Sequence, residues 1–257
     1  MKNLGKLAVL GAVLAASASF AFADTITLGS FGSTAGLYNP GAISVSNSQT
    51  TYVGDETFAT DTTGCGTSLA CLPALGSLTP TGTESVDLNP ETPTWNAALA
   101  NSTWVGINAN AGPQSTTNPS FGYYEFTTTF TATSASYSGT LSVLADDTTE
   151  VLLNNVVLIA FPTAGSDVHC SDNAPNCSMT DTIALNVNSG LNTLTFIVAQ
   201  MGTGPNGGTG AYGTDPSGLD FDGTLTSNAT PEPSSLLLLG TGLLGAAGML
   251  FRRRQTV

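Results

Sequence analysis

The sequence predicts an all-β protein whose main part is an antiparallel β-sandwich, with one apolar helix near the C-terminal end. Two observations lead to this fold class. Apolar and polar residues alternate with a period of two in several short segments, which is the pattern of half-buried strands. No long segment between residues 24 and 230 shows the 3.6-residue period of an amphipathic helix. Several short strands in one region are typical of a two-sheet sandwich.

The first 23 residues have the three parts of a secretory signal peptide. Two lysines form a positive n-region, and residues 7–16 form an apolar h-region. Ala21 and Ala23 then provide a small-x-small cleavage site. We expect cleavage after Ala23 and export of the region that follows, residues 24–230.

The alternating segments are the predicted strands of this exported region. In each of them every second residue is apolar, and β-branched or aromatic side chains are frequent. The predicted strands lie within 25–31, 122–130, 141–145, 192–200 and 219–225. Residues 24–100 give a weaker pattern, and we expect them to add early strands of the same sandwich together with a long loop.

Residues 150–159 are predicted to form a β-hairpin. Two apolar runs flank Asn154 and Asn155, and asparagine accepts the positive φ angles that a primed two-residue turn requires. The sequence therefore places a tight turn at this pair.

The order of segments between residues 104 and 226 resembles the galactose-binding-type jelly roll. The resemblance depends on the Ala-Asp-Asp at 145–147, the Val-x-Leu-Asn at 151–154 and the Gly-x-Asn-x-Leu-x-Phe-x-Val at 190–198. This chain has Asn155 where that family usually has glycine. The resemblance implies a jelly-roll sandwich of the kind found in exported proteins and in sugar-binding modules of glycosidases.

The distribution of charge excludes several classes of function. The chain has 18 acidic and 5 basic residues, a formal net charge of −13, and no Lys or Arg between residues 7 and 251. Nucleic-acid binding needs Lys and Arg to displace phosphate counterions, so the sequence excludes it. Phosphate-handling enzymes are disfavoured for the same reason, because no cationic clamp is available.

The C-terminal segment, residues 231–257, has three ordered parts. Pro231, Glu232 and Pro233 precede an apolar run at 236–251, and Arg252, Arg253 and Arg254 follow it. At ~1.5 Å per residue the run is roughly 24 Å long, somewhat short of the ~30 Å hydrocarbon core of a bilayer. We predict a transmembrane helix at 236–251, with the arginines on the cytoplasmic side.

This arrangement closely resembles the PEP-CTERM sorting signal of Gram-negative bacteria. The resemblance implies that the Pro-Glu-Pro motif is recognised by an exosortase, a membrane-embedded processing enzyme. It also implies transient residence in the inner membrane, followed by location at the cell surface or in the exopolysaccharide matrix. A plain tail anchor that stays in the inner membrane is the alternative interpretation.

The four cysteines fall into two close pairs, Cys65 with Cys71 and Cys170 with Cys177. An even count in an exported chain favours disulfides, and the spacing favours pairing within each loop. A zinc site that combines His169 with the second pair is disfavoured, because exported thiols are oxidised and zinc ligands are usually closer in sequence. His169 has no accompanying nucleophile motif, so we expect a loop residue rather than a catalyst.

Two pairs of carboxylates are candidates for chemistry. Asp146 and Asp147 are a possible calcium site because no basic residue neutralises them, although capping of a strand-end turn is the favoured interpretation. Asp220 and Asp222 share a strand face and are the candidate pair for a carboxylate-dependent hydrolase. Apart from calcium, no cofactor is expected.

Most aromatic side chains are expected in the core of the sandwich. Tyr212 is the exception, because it lies in a Gly-rich loop where it could contact a glycan. The sequence therefore predicts a non-enzymatic exported protein with a structural or adhesive role in exopolysaccharide or biofilm. A carbohydrate-binding module and, less favoured, the carboxylate-dependent glycoside hydrolase are the alternatives.

Overall fold

The computed structural model of the chain describes residues 23–32, 51–57, 82–88, 95–113, 119, 122–161, 173–200, 216–228 and 233–254. In chain order the strands are β1 Thr25–Gly29, β2 Thr51–Thr57, β3 Thr83–Glu84, β4 Val86–Leu88, β5 Trp104–Gly106, β6 Gly122–Asp146, β7 Thr148–Leu153, β8 Val156–Ile159, β9 Asp181–Gln200 and β10 Gly218–Ser227, and helix α1 is Pro233–Arg254. The predicted signal peptide lies outside the described residues, apart from Ala23.

The chain forms two compact units. Thr25–Thr226 is one unit, called the β domain below. The other unit consists of Met1–Asp24 together with Ser227–Val257, and it contains α1.

Two long strands organise the β domain. β6 has 25 residues and β9 has 20, and they pair antiparallel from Gly122↔Gln200 to Val143↔Asp181. The register shifts between Ala132 and Ser136, so this irregularity divides the ribbon into two halves. Gly190 pairs with Ala132 beside it and has a φ of 114°, a conformation that favours glycine.

The two halves of the ribbon extend into different groups of strands. The N-terminal half of β6 pairs with β2, and the C-terminal half of β9 pairs with β7, which continues into β8. β10 lies beside β6 and pairs with β1 and β5, and β5 pairs with β4. These strand pairs of the described residues are antiparallel, so the all-β antiparallel prediction is confirmed.

Contacts in the core show that the sheet folds into two facing layers. Phe196 on β9 and Phe221 on β10 belong to different groups of strands, yet their rings stack with centroids 4.4 Å apart. Both side chains are fully buried in one cluster that also contains Phe126 and Leu141. This packing is that of a β-sandwich, whereas the finer jelly-roll assignment stays a prediction.

The predicted strand faces are confirmed. Ile26 and Leu28 of β1 are buried, as are Leu219, Phe221 and Leu225 of β10. The predicted hairpin is also present, because β7 and β8 pair antiparallel around Asn154 and Asn155. These two residues have φ angles of 50° and 66°, as a primed turn requires.

Helix α1 covers the apolar run that the sequence predicted as helical. It begins at Pro233, where the fixed φ of proline suits the first turn and its missing N–H removes no hydrogen bond. In the described part of the chain, no helix is both long enough and apolar enough to cross a membrane. The helix is therefore confirmed, but its predicted role as a transmembrane span is not.

Candidate functional site

A pair of buried tryptophans lies in a small hydrophobic cluster of the β domain. The rings of Trp95 and Trp104 stack with centroids 4.2 Å apart and an interplanar angle of 24°. Both side chains are almost fully buried and pack against Leu88 and Leu144. Trp104 Nε1 donates a hydrogen bond to the carbonyl oxygen of Asn96 at 3.0 Å. The indoles are therefore core residues with satisfied N–H groups, not a platform for a sugar ring.

Asp146, at the end of β6, is the hydrogen-bond partner of the second indole. Its Oδ2 accepts from Trp95 Nε1 at 2.5 Å, and its carbonyl oxygen accepts from Ser217 Oγ at 3.0 Å. β7 begins two residues later at Thr148, whose Oγ1 donates a hydrogen bond to the carbonyl oxygen of Pro175. Asp146 and Asp147 are both buried. The Asp146 side chain thus connects the junction of β6 and β7 to the tryptophan pair.

This geometry bears on the calcium prediction at Asp146 and Asp147. One carboxylate oxygen of Asp146 accepts a hydrogen bond from the Trp95 indole N–H, and this donor would compete with a cation for the same oxygen. Among the described residues, no group of three or more His, Cys, Asp or Glu side chains is arranged to hold a metal ion. Calcium binding at this pair stays a prediction.

Three other carboxylates hold the segment 99–103 against β4 and β10. Asp220 Oδ2 accepts from the Leu99 N–H at 2.8 Å, and Asp222 Oδ1 accepts from Asn101 Nδ2 at 3.3 Å. Asp87 Oδ1 accepts from Thr103 Oγ1 at 2.8 Å. We call these three residues and their partners the carboxylate cluster. Its bonds to Leu99 and Asn101 join positions 121 apart in the sequence, so it fixes the local structure of the domain.

The two deepest carboxyl groups of the cluster are poorly solvated. Asp220 has no exposed surface, and burial is the main cause that raises its pKa to about 6. Its hydrogen bonds lower the pKa, whereas the nearby Asp222 carboxylate raises it further. Burial also raises the pKa of Asp87, although hydrogen bonds from Gly32 and Thr103 oppose this effect. Desolvation of the charged form therefore outweighs hydrogen bonding at both groups.

The same geometry argues against the hydrolase alternative. A glycosidase needs two carboxyl groups that flank a scissile bond. Asp220 is fully buried and hydrogen-bonded to the Leu99 N–H and to the Ser30 hydroxyl group, so it has no access to a substrate. Asp222, its predicted catalytic partner, is half-buried on the same strand. The pair is a structural feature of β10, and sequence analysis did not predict its partners.

The other predicted sites are only partly described. The candidate glycan contact Tyr212, the loop residue His169, and Cys65, Cys71 and Cys170 lie outside the described residues, as do Pro231 and Glu232. Cys177 is fully buried and disulfide-bonded, and pairing within each loop stays a prediction. Pro233 is the first residue of α1, and Arg252, Arg253 and Arg254 are in its last turn. The described Arg252 and Arg253 side chains are exposed.

The solved structures to which the chain is similar include carbohydrate-binding modules and a glucosidase. A family 35 carbohydrate-binding module from Clostridium thermocellum is 14% identical, with a TM-score of 0.25, and the match covers 50% of this chain and 82% of that one. A CBM35 from Paenibacillus barcinonensis is 16% identical, with a TM-score of 0.26, and the match covers 58% of this chain and 94% of that one. A β-glucosidase from Kluyveromyces marxianus is 11% identical, with a TM-score of 0.27, and the match covers 72% of this chain and 18% of that one. Similarity at this level transfers no function to the chain.

The C-terminal segment gives the specific match. None of the curated proteins compared with the chain matches it. Residues 229–254, however, match the family model of the PEP-CTERM protein-sorting motif. The matched segment begins before the Pro-Glu-Pro residues and ends with the last residue of α1. The chain therefore carries a PEP-CTERM protein-sorting motif at residues 229–254, which follows an all-β antiparallel domain in the sequence.

Proposed function

We propose that this protein is exported, processed by an exosortase at its C-terminal motif, and placed at the cell surface or in the exopolysaccharide matrix. There the β domain has a structural or adhesive role and no catalytic one. The observation that carries the proposal is the match of residues 229–254 to the PEP-CTERM sorting motif. The continuous helix Pro233–Arg254, which ends in three arginines, supports the same assignment.

The charge distribution supports export. Positive residues near an apolar segment hold that end of the segment in the cytoplasm. The chain has no Lys or Arg between residues 7 and 251, so the β domain carries no positive charge that would resist translocation. The lysines before this region and the arginines after it are where two cytoplasmic ends would require them.

The position of the domain ends suits removal of both targeting segments. Thr25 pairs with Thr226 at the junction of β1 and β10, so the first and last residues of the β domain are neighbours. In the other unit, Asp24 N donates to Ser227 Oγ at 2.7 Å and Ser227 N donates to Asp24 O at 2.7 Å. Cleavage after Ala23 and near Pro231 would therefore leave a domain whose two terminal strands are paired to their ends.

Substitution within the motif tests the proposal. Glu232→Gln removes the motif carboxylate, and we expect the variant to accumulate unprocessed in the cell-envelope fraction of the native host. Glu84→Gln is the matched control, because it makes the same change at an exposed residue of the short strand β3. The control should reach the surface or matrix as the wild type does. Equal processing of all three proteins would contradict the proposal.

A further inference from the structure

The Ser30 hydroxyl group lies among three polar atoms at the centre of the carboxylate cluster. Its Oγ is 2.6 Å from the carbonyl oxygen of Thr103 and 3.1 Å from Oδ1 of Asp220. The N–H of Phe221 donates to the same Oγ at 3.0 Å. A serine hydroxyl has one hydrogen and two lone pairs. If Asp220 were ionised, that one hydrogen would face two acceptors while one lone pair stayed unused.

We propose that, in mildly acidic solution, Asp220 is a protonated carboxylic acid in the native β domain and that its O–H donates to Ser30 Oγ. The Ser30 hydrogen then bonds to the Thr103 carbonyl oxygen, which is the closer acceptor. The two lone pairs of Oγ accept from Phe221 N–H and from Asp220. Oδ2 of Asp220 remains the acceptor for Leu99 N–H. This arrangement satisfies every group around Ser30 and makes the domain a pH-sensitive structure, independently of how the chain is sorted.

The surroundings of Asp220 favour the neutral form. The acids on the elements around it are Asp222 on β10 itself, Asp87 on β4, and Asp146 at the end of β6. β6 also carries Glu125 and the tyrosines Tyr123, Tyr124 and Tyr137, none of which is a cation. β1, β5 and the segment 95–103 have no titratable side chain, and the chain has no Lys or Arg between residues 7 and 251. Ionisation would thus place an uncompensated charge in a site with no solvent access.

The pH dependence of stability follows from this protonation. The pKa of Asp220 is raised from 3.8 to about 6 in the folded chain, so the native state binds a proton that the unfolded state has released. Stability from this group is complete below pH 3.8 and is lost as the pH rises through about 6. Between pH 5 and pH 7 the contribution corresponds to a roughly tenfold rise in the unfolding equilibrium constant.

Asparagine at position 220 should imitate the protonated acid. Its carbonyl oxygen can accept from Leu99 N–H, and its amide N–H can donate to Ser30 Oγ in place of the carboxylic O–H. We therefore expect Asp220→Asn to be more stable than the wild type at pH 7.5. The tenfold change between pH 5 and pH 7 should be absent from the variant. Asp222→Asn is the matched control two residues along the same strand, and it should keep most of that change.

The experiment is urea unfolding of the full chain in detergent from pH 4.5 to pH 8, for the wild type and both variants. The proposal is supported if Asp220→Asn flattens the pH profile and Asp222→Asn does not. Equal pH profiles for the wild type and Asp220→Asn would overturn it. If a variant fails to fold, a second measurement on the wild type still tests the proposal. The ¹³C resonance of the Asp220 carboxyl group in the wild type should titrate near pH 6, and titration near pH 4 would also overturn the proposal.

Discussion

Gly139 is the position where the contact between β6 and β10 permits no side chain. A Cβ atom added there would lie 1.8 Å from the carbonyl oxygen of Thr224 and 3.0 Å from Cα of Leu225. These are backbone atoms, so no rotation of a side chain can relieve the overlap. To bring the first distance to the 3.0 Å that real Cβ atoms tolerate, β10 must move away from β6 by about 1.2 Å, the difference between 3.0 and 1.8 Å.

Such a movement would disturb both the strand pairing and the core. β10 contributes Leu219, Phe221 and Leu225 to the buried cluster, and Phe221 stacks on Phe196. Overpacking of a well-packed core costs typically about 1–3 kcal/mol, and we expect Gly139→Ala to lie at the upper end of this range, about 3 kcal/mol. The assay is urea unfolding followed by tryptophan fluorescence, which reports on the buried Trp95 and Trp104.

Gly112→Ala is the matched control for this prediction. The atoms nearest to its added Cβ would belong to the Leu88 side chain, at 3.5 Å or more, which is an ordinary van der Waals contact. We expect this variant to change the free energy of unfolding by less than about 1 kcal/mol. Equal destabilisation by the two substitutions would refute the proposed packing of β10 on β6.

Two further predictions concern the core and the charge of the protein. Thr128 points into the core beside Phe126 and Phe130, and its Oγ1 has no hydrogen-bond partner among the described residues. Thr128→Val should therefore stabilise the protein by about 1 kcal/mol in urea unfolding, with the exposed Thr131→Val on the same strand as a neutral control, and destabilisation would contradict the assignment. Because the 18 acids have no basic partners between residues 7 and 251, added NaCl should raise the Tm. Calcium should raise it more if it binds at Asp146 and Asp147, and a Tm that responds to neither salt would contradict both expectations.

Local patterns predicted those parts of the fold that local interactions determine. Alternation identified the buried faces of β1 and β10, and the Asn154–Asn155 pair identified the turn between β7 and β8. The continuous strand β6 was not predicted, because the Thr, Ser and Ala residues at 131–136 interrupt the alternation of large apolar and polar side chains. In the structure that stretch contains the register shift, and pairing with β9 resumes beyond it. Partners from a distant segment thus extend a strand where its own sequence gives no signal.

The carboxylate cluster could not be predicted from the sequence for a similar reason. Asp220 and Asp222 were correctly placed on one face of a strand, and that face suggested a pair available for catalysis. The bonds that give them a structural role come from Leu99 and Asn101, each 121 positions away. A sequence pattern shows which residues share a face, but not which segment covers that face. The C-terminal motif was predictable because its three parts are contiguous.

The measurement that tests the central claim most directly is the intact mass of the native protein from the cell-surface or matrix fraction, with and without the host exosortase. The account predicts a chain that begins at Asp24 and ends near Pro231 when the exosortase is present. Without the enzyme, it predicts a chain that retains its C-terminal segment and stays in the cell envelope. A chain that keeps residues 231–257 and remains in the inner membrane in both strains would contradict sorting through the PEP-CTERM motif.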